Sequence, residues 1–447
     1  MKMEVMNGFV VVKDTFKGGV HPKEWKELTE SKPLEIMPLP KEIILPLQQH
    51  LGNEAVPIVK KKDKVVLGQI VAQPVGYISA PIHSPVNGVV KDIKSVPSPF
   101  GFPKKSIIIT PEDSETKQFF EPLDPYTITS EQIIERVKEA GIVGMGGASF
   151  PTFVKLTPPK DKQIDTLIIN ACECEPYLTR DYRIILERTD EFLAGVKLIM
   201  KALKVEKAII GIEDNKPKAI EILNKYLLSE PSIKLYVLKT RYPQGAEKML
   251  IYATLRRVVP AGKLPLDVGV VVQNVATSLS VYQAVVEGKP QIEAILTVSG
   301  KGVVEPKNLI VKIGTPIQEI LNYCSGLKQD ASRIIFGGPM MGVPVFDLRT
   351  PVIKATSGIL VLTEKETRRG ESLNCVRCGK CIEVCPINLY PTKLARLSEF
   401  GKFEEALKLG IMNCMECGTC QYNCPSDVPI VHFVRIGKNK AKNLKIS

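Results

Sequence analysis

Eight of the chain's eleven cysteines fall between residues 375 and 424, in two runs of one pattern. Cys375, Cys378, Cys381 and Cys385 form the first run, and Cys414, Cys417, Cys420 and Cys424 the second. Each reads C-x2-C-x2-C-x3-C and closes on a proline, Pro386 or Pro425, with an offset of 39 residues between the runs. This is the spacing that wraps four-iron, four-sulfur cubes in pairs, the fourth cysteine of each run serving the other cube. Three cysteines two residues apart let a tight turn enclose one cube, and the fourth starts a helix aimed at its neighbour. The expected ligand sets are Cys375, Cys378, Cys381 and Cys424 for one cluster, and Cys414, Cys417, Cys420 and Cys385 for the other. Structural zinc favours two separated ligand pairs and would leave cysteines surplus. Disulfides need an oxidising compartment, and the N-terminus MKMEVMNGFVVVKD lacks the apolar stretch of a secretory signal. Cys172, Cys174 and Cys324 lack ligand spacing, and Cys324 reads as a core residue.

A chain of 447 residues is expected to divide into two to four domains. The fold class expected is multidomain, α/β and β. Residues 1–120 carry short β-branched runs (EIILPL, EAVPIV, KVVLGQIVA) punctuated by turn residues, an all-β pattern. The stretch VGYISAPIHSPVNGVV is similar to half of a biotinyl or lipoyl barrel-sandwich domain. No lysine stands between Lys64 and Lys91 to carry a cofactor, so the likeness concerns fold alone. Residues 125–289 change to an α/β pattern: Thr129 and Gln132 make a capping box for SEQIIERVKEA, and strands and helices then alternate. Residues 290–350 return to short strands and glycine turns, including FGGPMMG, as a small α+β insert. Thr367 to Gly370 opens a two-cluster, α-helical module over 365–430, whose segment PTKLARLSEFGKFEEALKLG is expected to pack against the clusters. Residues 431–447 form a basic tail.

No stretch reaches the roughly 18 apolar residues of a membrane span. The formal charge of +12 suits acidic partners or an anionic membrane surface, or simply keeps a solvated basic face. Arg435, Lys438, Lys440, Lys442 and Lys445 concentrate that charge near the end. Without interleaved aromatics or a known module, nucleic acid is not an expected partner.

A glycine loop, GIVGMGGASFPTFVK, follows the first helix of the α/β region. It departs from the dinucleotide fingerprint, which requires a preceding strand. Its glycines Gly144, Gly146 and Gly147 can still admit a phosphate close to backbone N–H groups, with Lys155 adding positive charge. A tight turn without a ligand fits the same residues. The strand ending at Asn170 delivers Glu173 and Glu175 at its carboxyl end. The strand ending in Gln273 and Asn274 does likewise, with Thr277 at the next helix. Carboxyl ends are where open α/β sheets bind ligands, so the three features together favour a nucleotide or flavin pocket.

The segments GMGGASFPTFVK, NACECEPYLTRDYR, YPQGAEKML and VVQNVAT together resemble the flavin- and NADH-binding subunit of respiratory complex I. They resemble still more closely the C subunit of the Rnf (Rsx) ion-translocating electron-transport complex. In that family a GGVHP start, a barrel-sandwich region, a complex-I-like core, a β-grasp insert and two cysteine runs follow in this order. The resemblance implies that Gly144, Gly146, Gly147 and Lys155 line the FMN phosphate and ribityl site. It also implies that Asn170, Glu173, Asn274 and Thr277 face FMN, and that Glu175 and Phe150 lie toward NAD(H), with Glu247 a further candidate. The complex I motif has an acidic residue where Cys172 stands, and its usual single cluster has other cysteine spacing. The implied function is a peripheral subunit that passes electrons between ferredoxin and NAD(H) through FMN and two [4Fe-4S] clusters. Its implied place is the cytoplasmic face of a bacterial inner membrane, among partner subunits that move the ion. The competing readings are a soluble flavin/Fe–S NADH dehydrogenase or hydrogenase diaphorase subunit, and a bare electron carrier with an empty α/β domain.

Overall fold

The computed structural model describes the chain except residues 1, 2, 7, 14, 368–370, 443 and 445–447. The expected roles of Gly370 and Lys445 therefore lie outside the described residues.

Its centre is a six-stranded sheet in the order Met3–Met6, Phe9–Val12, Ile233–Leu238, Ala208–Glu213, Thr166–Ala171, Val270–Asn274. All neighbours pair in parallel except the first two strands, which form an antiparallel ribbon at one edge. Both faces are covered, which explains the near-continuous apolar runs LIIN, AIIGI and VVV. Helices Ser130–Glu139, Thr189–Leu203, Pro217–Leu227 and Val275–Val286 cover one face, and Glu247–Leu255 the other. The first of these starts with the expected capping box of Thr129 and Gln132. Helices Thr189–Leu203 and Val275–Val286 cross at Gly195, where a Cβ would stand 1.9 Å from the Ser278 carbonyl oxygen.

The barrel-sandwich unit combines a four-stranded sheet (Ile43–Pro46, Lys104–Pro111, Gly88–Val96, Lys64–Val65) with a three-stranded one (Val56–Pro57, Ile70–Gln73, Ile82–His83). A third sheet runs Val343–Val345, Ala331–Phe336, Gly358–Thr363, Glu293–Ser299, Lys307–Lys312, Leu34–Ile36. Ile43, Leu45, Ile107 and Ile109 of the barrel share one apolar core with Leu296, Val311 and Ile320 of the third unit.

Several expected boundaries shift. Met3–Met6 and Phe9–Val12 complete the central sheet, and Leu34–Ile36 completes the third sheet, so the segment ahead of the barrel strands serves the two other units. A short β-branched run signals a strand but not the sheet edge it completes. The 290–350 insert extends to the strand Gly358–Thr363. The expected basic tail is largely the helix Ile430–Ala441, with Ile430, Val434 and Ala441 buried among Leu394, Ala406 and Ile411 of the cysteine module. Arg435 and Lys438 pair with Glu416 at 3.0 and 2.6 Å. Part of the basic surface expected there is thus internally compensated. Its apolar positions, spaced by four and seven, are the helical signal that the surrounding lysines obscure. No described helix is long and apolar enough to cross a membrane.

Candidate functional site

The two cysteine runs interlock. One cavity, of about 180 Å³, is lined by Cys375, Cys378 and Cys381 together with Cys424 from the other run. A second is lined by Cys414, Cys417 and Cys420 together with Cys385. Gly379 and Gly418, in the left-handed region, start the one-turn helices that carry Cys381 and Cys420 inward. Cys375 and Cys378 are exposed, whereas Cys385, Cys417 and Cys420 are buried. Burial pushes the Cys414 thiol up to about 11 and raises those of Cys385 and Cys420. Thiolates there need bound positive charge, which iron supplies. Among the described residues no three His, Cys, Asp or Glu side chains form a group suited to a single metal ion. The sulfurs surround two cavities, an arrangement in which each thiolate can meet its own iron.

The second cavity adjoins the central domain. The Tyr242 hydroxyl donates to the Cys417 carbonyl oxygen at 2.8 Å. Gly19 N donates to the Val384 carbonyl oxygen at 2.9 Å, and a Cβ on Gly18 would stand 3.0 Å from that oxygen. Gly18 and Gly19 belong to the GGVHP segment. Val20, Cys174, Tyr242, Met340, Val384 and Cys417 complete one apolar contact.

Within the central sheet, the strand Thr166–Ala171 has Ala208–Glu213 on one side and Val270–Asn274 on the other. Successive connections first move one way and then jump back, making this the topological switch point, where such sheets open a crevice for ligands. Most of the nominated residues meet there. Asn274 caps the helix Val275–Val286 by accepting from Ala276 N at 3.0 Å, and its amide donates to Asp181 Oδ2 at 2.6 Å. Glu173, held at φ 46°, accepts from Asp181 N and Tyr182 N at 2.7 and 3.2 Å. Thr277 Oγ1 accepts from Met145 N at 3.0 Å and so fixes the glycine loop. A Cβ on Gly146 would press on the Asn274 side chain at 3.1 Å, while Gly147 faces open space. Gly144 N donates to the carbonyl oxygen of half-buried Phe150. Asn170 donates to the Gly245 carbonyl oxygen at 2.8 Å.

Two residues behave differently from expectation. Lys155 does not stand free, since its ammonium donates to Glu247 at 2.9 Å and to the Val272 carbonyl oxygen at 3.1 Å. Glu175 accepts from Met340 N and Met341 N at 3.1 and 2.9 Å, binding the FGGPMMG turn of the third unit. Gly338 makes that contact possible, because a Cβ there would lie 2.2 Å from Glu175 Oε2.

Lys26 carries no sequence signal yet organises this loop. It is 7% exposed and donates to the carbonyl oxygens of Glu173, Glu175 and Leu178 at 2.8, 3.1 and 2.7 Å. Arg180 is similarly buried, donating to the carbonyl oxygens of Ile295, Thr356 and Met145. The RDYR end of the resemblance segment points to Arg180 and Asp181; nothing points to Lys26.

Burial raises the Glu175 carboxyl to about 7, against the pull of the two N–H donors and Lys26. Burial also raises Glu213 to about 7, opposed by Lys216. A folded-state pKa above the unfolded value means the native state binds more protons between the two, so stability falls as pH rises through that interval. Melting curves should therefore lose stability from about pH 4.5 to about pH 7, and Glu175→Gln should flatten the slope. An unchanged slope in that variant would count against the assignment.

The residues fit a flavin. Among the described residues, Thr152 Oγ1, Gln273 Nε2 and both amide atoms of Gln244 are buried without a partner. They follow the glycine loop, precede Asn274 and precede Gly245, respectively. Orphaned polar atoms on residues next to the glycine loop, to Asn274 and to the Asn170-bound Gly245 are what a polar ring system and phosphate can satisfy.

A parallel-sheet domain with a switch-point crevice, bonded through Tyr242 to one of two four-cysteine cavities, defines an electron-transfer chain of the flavin and iron–sulfur class. Comparison with known families agrees: residues 137–283 match the Nuo51 FMN-binding domain, 14–114 the RnfC barrel sandwich hybrid domain, 295–344 the SLBB domain and 374–428 the 4Fe-4S dicluster domain. The chain is 44% identical to the C subunit of the proton-translocating ferredoxin:NAD(+) oxidoreductase complex of Clostridium ljungdahlii, over 88% of this chain and 86% of that one. It is 44% identical to the C subunit of the ion-translocating oxidoreductase complex of Rhodobacter capsulatus, over 95% and 83%. The Na(+)-translocating counterpart from Acetobacterium woodii is 42% identical, over 95% and 97%. The chain belongs to the RnfC family, the C subunits of ion-translocating oxidoreductase complexes. It is an electron-transfer subunit with FMN-binding and two-cluster iron–sulfur domains.

Proposed function

We propose that this chain is the peripheral, NAD(H)-facing subunit of a membrane complex that exchanges electrons between ferredoxin and NAD(H). It would sit on the cytoplasmic face, with ion movement left to spanning partners. The observation that carries this reading is the Tyr242–Cys417 hydrogen bond, which ties the central α/β domain to one of the cysteine cavities.

FMN, when bound, supplies conversion between the two-electron chemistry of nicotinamide and the one-electron chemistry of iron–sulfur clusters. The chain's own residues position and insulate. Gly146 and Gly147 let the backbone approach the phosphate, while Gln273 and Gln244 offer unpaired amides to the ring system. Asn274, Asp181 and Glu173 lock one another, so the crevice is organised before any ligand enters. Lys155 reaches the crevice as half of an ion pair with Glu247, so phosphate binding there competes with that carboxylate. Glu175 holds the Met340–Met341 turn and reaches nicotinamide only by releasing it. Backbone N–H donors set the charge balance around Cys385 and Cys414, through Leu389 N and Glu416 N at 3.3 and 3.4 Å from their sulfurs.

Anaerobic purification from membranes tests the reading. The chain should carry FMN that bleaches on NADH addition, and should leave the membrane fraction when the partner subunits are deleted. Iron without flavin and without any NADH response would instead support the bare electron carrier.

A further inference from the structure

The electron-transfer reading gives the barrel-sandwich unit no task, yet the tip of that unit reaches the glycine loop. Two of its loops are locked together: Asn53 N donates to the Ile78 carbonyl oxygen at 3.0 Å, and the Asn53 side-chain amide to the Val75 carbonyl oxygen at 3.1 Å. Ser79 Oγ donates to the Asn53 carbonyl oxygen at 3.0 Å. Gly52 permits the approach, since a Cβ there would lie 2.2 Å from the Ile78 carbonyl oxygen.

This tip touches the glycine loop in two places. Leu51 N donates to the Ser149 carbonyl oxygen at 3.3 Å. The Tyr77 ring meets the Phe153 ring at 5.6 Å and 81°. Ser149 is buried and follows Gly146, Gly147 and Ala148, all three exposed. The contacts therefore place the tip beside the open stretch of the loop. Tyr77 remains 60% exposed and Leu51 55%, although both are anchored. An exposed tyrosine held in one orientation by a perpendicular aromatic neighbour is a preformed stacking surface that loses little entropy on binding.

We infer that the barrel tip forms the outer wall of the nucleotide site, with Tyr77, flanked by Leu51, stacking on the adenine of NAD(H). The inference rests on the NAD(H)-facing reading above. Adenine is the fitting base because nicotinamide must reach the switch-point crevice inside, which leaves the far half of the dinucleotide at the exposed mouth. The barrel domain thereby becomes part of the binding machinery, and its fixed attachment to the glycine loop is what the task requires.

The test uses the full chain, purified anaerobically with FMN and clusters in place, and two probes besides NADH. ADP-ribose carries the adenine half without nicotinamide; reduced nicotinamide mononucleotide carries the reactive half without adenine. Tyr77→Ala should weaken ADP-ribose binding about tenfold by calorimetry and raise the KM for NADH bleaching of the flavin by a similar factor. It should leave the KM for the mononucleotide unchanged. Tyr77→Phe keeps the ring and should stay within about twofold of the unaltered chain, and Leu51→Ala provides a second, smaller loss at the same wall. FMN content and melting temperature, equal across the variants, separate lost stacking from lost folding. ADP-ribose binding unchanged in Tyr77→Ala and Leu51→Ala, while NADH still bleaches the flavin, would overturn the inference and leave the functional reading standing. A parallel loss with the mononucleotide would also overturn it. An unaltered chain that neither binds ADP-ribose nor responds to NADH would remove the reading and the inference together.

Discussion

Cys424→Ala should remove the cluster expected at Cys375, Cys378 and Cys381 and leave the other, so that iron falls from about eight to about four atoms per chain. The expectation rests on the proposed exchange of fourth ligands between the runs, supported by cavity walls in which the first includes Cys424 and the second Cys385. Iron content alone does not separate this from ligation within each run, because either scheme leaves one cluster in the single variant. The double variant Cys375→Ala, Cys424→Ala does. With exchanged ligands both substitutions fall on one cluster and about four irons remain; with ligation inside each run both clusters are damaged and the iron is lost. The surviving cluster should also be the one beside Tyr242, so flavin bleaching by NADH should persist while onward transfer through the exposed cavity stops.

Lys26→Met should be the most damaging single change remote from the cysteines. Its ammonium satisfies three carbonyl oxygens of the loop that carries Glu173 and Glu175. It also offsets the buried Glu173 and Glu213 carboxyls, both of which burial raises. Removing one partner from a buried charge group costs about 3–5 kcal/mol, and the released loop can no longer cap the helix Arg180–Glu187 through Glu173. Expected results are a melting temperature lowered by several degrees and loss of FMN on gel filtration, with iron content unchanged because the cysteine module has its own apolar core. Retention of flavin at full occupancy would show that the loop holds its shape without the ammonium.

How much of this is legible in the sequence follows from how locally each feature is encoded. The cysteine spacing specifies turns of a few residues, so both runs are visible from residue numbers alone, and the cavity linings that gather Cys424 with the first run and Cys385 with the second follow the expected grouping. Thr129 and Gln132 announce a helix for the same reason. Asn170, Asn274 and Thr277 can be found because they end strands or begin helices, and the sheet order brings those ends together. Lys26 is invisible: its partners lie about 150 residues away, and a lysine in a proline-rich segment ordinarily belongs to the surface. The strand Phe9–Val12 reads as part of the β unit because period and composition do not record which sheet a short strand joins. Lys155 and Glu175 are placed by resemblance, and their partners, Glu247 and the Met340–Met341 turn, show how one side chain's position depends on a second segment. Tyr77 lies in a stretch legible only for its turns, where no local pattern marks contact with Phe153.

Paired clusters joined to a flavin crevice should be visible by electron paramagnetic resonance of the anaerobic, dithionite-reduced chain, with iron and acid-labile sulfide counted on the same sample. About eight irons and eight sulfides per chain are expected, with a broadened signal from two reduced clusters interacting at close range. Zinc in place of iron, or the sharp spectrum of one isolated cluster at about four irons, would refute the pairing and with it the route from flavin to partner.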